Sequence, residues 1–141
     1  MPEFRVKSLK RLESLMRLFQ TSHQMYAHIN WNTGSRVELI DREVKRALGK
    51  IIREAANEEG YEILAYEAVS EHVHLVVRFK PSHCIADFVK KIKGKSSRII
   101  PYSINKPIKW QKGYGITTVG PKALNSAIQY VKDQKNHHSN R

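Results

Sequence analysis

The sequence predicts an α+β fold built on a ferredoxin-like βαββαβ antiparallel sheet, with one helix added at the N-terminus and another at the C-terminus. Three observations lead there. Segments of period-2 apolar alternation interleave with segments of 3.6-residue period. Two strand segments meet across a two-residue connection, as a hairpin does. The 141 residues suit a single core. In the split βαβ arrangement the sheet carries both crossover helices on one face and leaves the other for added helices, a partner or a ligand.

Residues 1–24 place Leu9, Leu12, Met16 and Phe19 at helical spacing among Lys7, Lys10, Arg11 and Arg17. They read as a basic amphipathic helical extension ahead of a core over 25–138. Met25 to Trp31 alternates as a strand, and Asn32-Thr33-Gly34-Ser35 turns the chain. Asp41 is placed to cap a helix whose Val44, Leu48, Ile51, Ile52 and Ala55 keep the helical period up to Gly60. Tyr61 to Val69 and His72 to Phe79 form the hairpin around Ser70-Glu71. After Pro81, the positions of Ile85, Phe88, Val89 and Ile92 mark a second helix, expected to end by Pro101 because an interior proline removes a backbone donor. Tyr102 to Gly113 reads as a loop and Tyr114 to Val119 as a short strand. Gly120-Pro121 opens the last helix, with Leu124, Ala127, Ile128 and Val131 as its buried stripe.

Lys and Arg total 25 against 13 Asp and Glu, a formal charge of +12, which favours polyanions such as nucleic acid. Cys84 is the single cysteine, so neither an intrachain disulfide nor a cysteine-based zinc knuckle is expected. No apolar run approaches the roughly 20 residues that span a bilayer. Those features predict a cytoplasmic protein with no membrane role.

In His72 to Phe79, alternation sends Val73, Leu75, Val77 and Phe79 to one face and His72, His74, Val76 and Arg78 to the other. The apolar set faces the helices, so the two imidazoles project together from the opposite face, about 7 Å apart at the backbone. That spacing lets both rings meet one cation. Alone, such a tripeptide is more simply a polar strand face. Tyr130 and Gln134 lie four apart on the last helix and therefore on one side of it. Singly they read as a half-buried core tyrosine and a surface glutamine. Together with the histidines they form a different set, since phosphodiester cleavage needs a cation on the phosphate and an oxygen nucleophile. A phenol, with pKa near 10, needs positive charge or a base beside it to attack. A zinc hydrolase is disfavoured because no carboxylate or third histidine is evident to complete an ordinary zinc site.

Lys90, Lys91, Lys93, Lys95 and Arg98 cluster near the second helix, followed by Lys109 and Lys112 in the loop. Such a patch binds phosphates without reading sequence. Trp110, Tyr102 and Tyr114 are candidates for stacking on unpaired bases, with packing the simpler role for Trp110 and Tyr114. His28, on the first strand, reads as a sheet residue.

Four ordered stretches carry a resemblance. They are Glu71-His72-Val73-His74-Leu75, Phe88 to Arg98, Trp110-Gln111-Lys112-Gly113-Tyr114 and Tyr130 to His138. Across about Tyr26 to His138 the chain resembles the single-tyrosine HUH transposases of insertion sequences of the 200/605 type, whose relatives include transposases associated with repetitive extragenic palindromes. The resemblance implies His72, His74 and Gln134 as metal ligands, Mg or Mn as the cation, and Tyr130 as the nucleophile. It further implies single-stranded DNA with hairpin ends as substrate, a 5′-phosphotyrosine intermediate, and a homodimer whose tyrosine helix can complete the partner's site in trans. The sequence departs from the pattern in its long N-terminal lead-in and in Val69-Ser70 before Glu71. A non-catalytic, domesticated binder of hairpin DNA or structured RNA is the alternative.

Overall fold

The computed structural model describes residues 22–139. In chain order the elements are β1 (Met25–Asn32), α1 (Arg42–Glu59), β2 (Glu62–Val69), β3 (His72–Phe79), α2 (Ile85–Ile104), β4 (Gly115–Val119), α3 (Leu124–Lys132) and α4 (Gln134–Ser139). The predicted βαββαβ order is therefore present. The helix expected over 1–24 falls on positions outside the described residues, apart from the irregular stretch 22–24 that leads into β1.

The strands lie in the order β2-β3-β1-β4, and every neighbouring pair is antiparallel. Each crossover helix thus links two strands that have one other strand between them, and β1 and β3 hold the centre. The main core forms where Val73, Leu75 and Val77 of β3 and Ala27, Ile29 and Trp31 of β1 meet the stripes of α1 and α2. Full burial of such a side chain is worth about 1.5–3 kcal/mol, so the alternation fixes the register of both central strands.

Local signals act as read. The Asp41 side chain accepts from the Val44 N–H at 2.9 Å, capping α1, and Gly60 ends that helix in the left-handed region at φ 81°. Ser70 takes φ 56° in the hairpin turn.

Three expectations are corrected. α2 does not end by Pro101 but runs through it to Ile104. Proline costs the helix one donor, opposite the carbonyl of exposed Ser97, where water can replace it. Ile100 is fully buried and Ile104 packs on the core, so burial holds the final turn. The last strand begins at Gly115 rather than Tyr114. The last helix is broken: a 3-10 turn at Pro121–Ala123 precedes α3, and Asp133, with ψ 2°, separates α3 from α4.

The second sheet face is not left open. Val131 of α3 packs on Val76 and Ala65, with Leu64, Leu124, Ala127 and Ile128 around them. This small second core seats α3 directly on the face that carries the histidines.

Candidate functional site

β3 brings His72 and His74 to the same face, their rings edge-on with centroids 5.0 Å apart. Pairing with β1 sets Asn32 opposite His72 and Asn30 opposite His74, while β2 sets Glu67 opposite His74. One step along β1 lies His28, whose Nε2 is 2.9 Å from His74 Nδ1. α3 then places the Tyr130 ring 6.2 Å from that of His74 and 5.8 Å from that of His28. The adjacent Val131 is fully buried in the second core, whereas Tyr130 is 48% exposed. A helix anchored by Val131 thus lays its neighbour over the histidines with its edge accessible.

Gln134 opens α4, and only 6% of its surface is accessible. Its amide nitrogen donates to the Tyr130 carbonyl at 3.3 Å, tying the two segments across the break at Asp133. His72, His74 and Tyr130 therefore come together within one chain, and Gln134 is linked to them through the Tyr130 backbone rather than by sharing a continuous helix.

Burial, and then the charges of His28 and His72, push the His74 pKa down to about 4, so its imidazole is neutral at pH 7. Burial lowers His28 as well. The His72 Nδ1 lies 3.4 Å from Glu71 Oε1. Glu67, beside His74 in the sheet, is ion-paired with Lys45 from α1. Among the described residues no group of three or more His, Cys, Asp or Glu is placed to hold a metal ion.

The basic patch divides. Lys91 pairs with Glu58 at 2.6 Å and Glu59 at 2.8 Å, and Lys95 approaches Glu58 at 3.6 Å. Lys93 donates to the carbonyls of Gln111 and Gly113, and its desolvation lowers its pKa. These three serve α1 and the loop before β4 as much as any ligand. Lys90, Arg98, Lys109 and Lys112 make no ion pair among the described residues. Lys90, Lys109 and Lys112 rim a groove of about 600 Å³ between α2 and the 108–114 segment, which also holds Trp110 and Tyr114. Trp110 packs edge-on to Trp31 at 6.1 Å and donates to Ser96 Oγ at 2.8 Å, so packing is its role. Tyr102, 93% exposed, lies outside the groove lining.

Three residues near the site had no functional reading in the sequence. His28 reads as a sheet residue, and only the register of β1 against β3 reveals its contact with His74. Asn30 and Asn32 line a small polar cavity of about 110 Å³ with Lys112, Tyr114 and Gly115, and it shares Lys112 and Tyr114 with the groove lining. Gly115 leaves room for the Asn30 side chain, because a Cβ would come within 2.8 Å of the Asn30 Oδ1 and displace it. Their signal was the alternation of His28, Asn30 and Asn32 in β1, polar residues at every second position.

The sequence model of the IS200-like transposases matches residues 21–134. The chain belongs to that transposase family. The ISDra2 transposase TnpA of Deinococcus radiodurans is 30% identical over 119 residues, covering 79% of this chain and 85% of the relative. The IS200 transposase of Salmonella typhimurium is 26% identical over 123 residues, covering 77% and 80%. A crystal structure from Deinococcus radiodurans, described as a candidate transposase, superposes with a TM-score of 0.65 at 30% identity, covering 81% of this chain and 93% of the other. A REP-associated tyrosine transposase bound to a REP hairpin shares the fold at a TM-score of 0.65 and 14% identity, covering 84% and 73%. This IS200-like transposase therefore shares its fold with both solved structures. Among its described residues no helix is long and apolar enough to cross a membrane.

Proposed function

We propose that this transposase cleaves and rejoins single-stranded DNA by transesterification, with Tyr130 as nucleophile and His72, His74 and Gln134 as ligands of a divalent cation, Mg or Mn. The observation that carries the reading is the Tyr130 ring lying 6.2 Å from the ring of His74, which in turn sits edge-on to His72. The donor set suits such a cation. His74 is neutral at pH 7, and the Gln134 amide nitrogen is engaged, which leaves its oxygen as the donor atom. Two histidine ligands and a neutral amide oxygen do not cancel the cation's charge and leave positions for phosphate oxygens. Bound there, the cation supplies charge that polarises the scissile phosphate.

Tyr130 forms an O–P bond as the bond from phosphorus to the 3′ oxygen breaks. The 3′ oxygen leaves as a hydroxyl, taking up a proton to replace the one the phenol loses, and the 5′ phosphate stays on Tyr130. Attack by a 3′ hydroxyl on that phosphotyrosine reverses the exchange and joins strands. Lys90, Lys109 and Lys112 at the groove rim hold the flanking phosphates, consistent with the net charge of +12. A hairpin end as the recognised partner is supported by the fold shared with the transposase bound to a REP hairpin. A homodimer in the cytoplasm completes the proposal and rests on the family resemblance.

Labelled single-stranded element ends incubated with Mn or Mg should yield a covalent protein–DNA adduct, and Tyr130→Phe should yield none. An equal adduct from Tyr130→Phe refutes the nucleophile. Tight, salt-sensitive binding without any adduct, unchanged by His72→Ala, points instead to the non-catalytic binder.

A further inference from the structure

We propose that His28 is a positioning residue that accepts a hydrogen bond from the Nδ1–H of His74, fixing the His74 tautomer so that its Nε2 lone pair faces the cation. The inference rests on the reading of His74 as a metal ligand and adds a residue to that site. Two ring nitrogens 2.9 Å apart share one proton, since at that separation one must donate and the other accept. If His28 donated, the Nδ1 lone pair of His74 would be occupied and the Nε2 of the neutral ring would carry its proton, leaving no nitrogen to bind a cation. If His74 donates, its Nε2 is free for the cation and His28 carries its own proton on Nδ1.

Direct ligation by His28 is disfavoured, because His28, His72 and His74 do not converge as a three-ligand group. The placement of His28 is also well determined. It sits mid-strand on β1 with β3 on one side and β4 on the other, in register with Val76 and Thr117. Its ring lies edge to edge with that of His74, the centroids 5.1 Å apart and the planes 30° apart as an in-plane hydrogen bond requires, and meets Tyr130 edge-on at 5.8 Å. A ring held by two strands and two aromatic neighbours is a rigid acceptor. Metal-bound histidines commonly donate their second nitrogen to such an outer group, and loss of the group weakens metal binding 10–100-fold.

The test uses the full chain with 15N-labelled histidine. Long-range 15N–1H spectra of the metal-free wild type at neutral pH should show His74 protonated on Nδ1. In folded His28→Phe that preference should disappear, and Mn affinity measured by titration calorimetry should fall 10–100-fold. His28→Gln, whose amide oxygen can accept in place of Nε2, should recover most of the affinity. His74 protonated on Nε2 in the wild type overturns the proposal and needs no variant to fold. Unchanged Mn affinity in folded His28→Phe overturns it as well. A wild type with the expected tautomer that binds no Mn refutes the metal reading instead, so the two failures are distinguishable.

Discussion

Val131→Ala should loosen the nucleophile's helix without unfolding the main core. Val131 is fully buried, yet it belongs to the small cluster with Val76 and Ala65, separate from the large core of β1, β3, α1 and α2. The substitution removes two methyl groups, roughly 1.6 kcal/mol at about 0.8 kcal/mol each. Incomplete collapse of the resulting cavity brings the loss to about 2 kcal/mol. If α3 opens as its own unit, that loss raises the open fraction about 30-fold. Native-state hydrogen exchange is the assay. Amides of 124–132 should lose about 30-fold in protection while central amides of β1 and β3 keep theirs, and adduct formation should fall with the α3 amides. Equal loss of protection in β3 and α3 would show one cooperative unit and refute the separate anchoring. Unchanged α3 exchange would refute the packing energy.

Tyr61 stacks between His83 and Phe88 at 3.9 Å on each side, and desolvation, aided by nearby negative groups, raises its hydroxyl to about 12. A raised folded pKa stabilises fully below the unfolded value near 10 and the contribution is lost as pH climbs from 10 to 12. Urea melts of Tyr61→Phe should therefore show a shallower alkaline decline than wild type, by on the order of 1 kcal/mol after solvent screening, and parallel declines would exclude the effect. Lys112→Ser should reduce the salt slope of single-stranded DNA binding by about 0.7, whereas Lys91→Ser, whose ammonium already pairs with Glu58 and Glu59, should change it less; equal changes would place Lys91 on the DNA. Asp41→Ala should cost about 1 kcal/mol in a denaturant melt through loss of the α1 cap. Gly115→Ala should displace the Asn30 side chain and reduce adduct formation while leaving the melting temperature within a few degrees, and full activity would remove Asn30 from the substrate path.

The sheet was legible because its central strands obey a local rule. The alternation in His72 to Phe79 names both the core face and the histidine face, and the helical stripes of α1 and α2 name what covers the core. The seat of α3 was half legible: Val76 is an apolar residue among His72, His74 and Arg78, and an isolated valine on a polar face signals that something packs there. Pro101 misled because a local donor deficit was weighed without the burial of Ile100 and Ile104. The contacts of His28 and the split of the lysine cluster were out of reach for a different reason. Both depend on pairing across 46 and about 33 positions of chain, and no periodicity within a segment encodes the partner.

The distribution of charge explains why a chain this basic suits a site built from neutral groups. A lysine among the histidines would repel the cation and compete with it for the phosphate. Instead the residues paired with the two histidines on β1 are the amides Asn30 and Asn32, and burial keeps His74 unprotonated at neutral pH. On the proposed reading, Lys90, Lys109 and Lys112, which make no ion pair among the described residues, attract the backbone from the groove rim. The carboxylate opposite His74 is withdrawn in the same sense, since Lys45 engages Glu67, while Lys91 engages Glu58 and Glu59 between α1 and α2. Lysines that look like surplus charge in the sequence thus perform two tasks. On the proposed reading some gather phosphate, and others pair with carboxylates, including Glu67 beside His74, which would otherwise repel phosphate there.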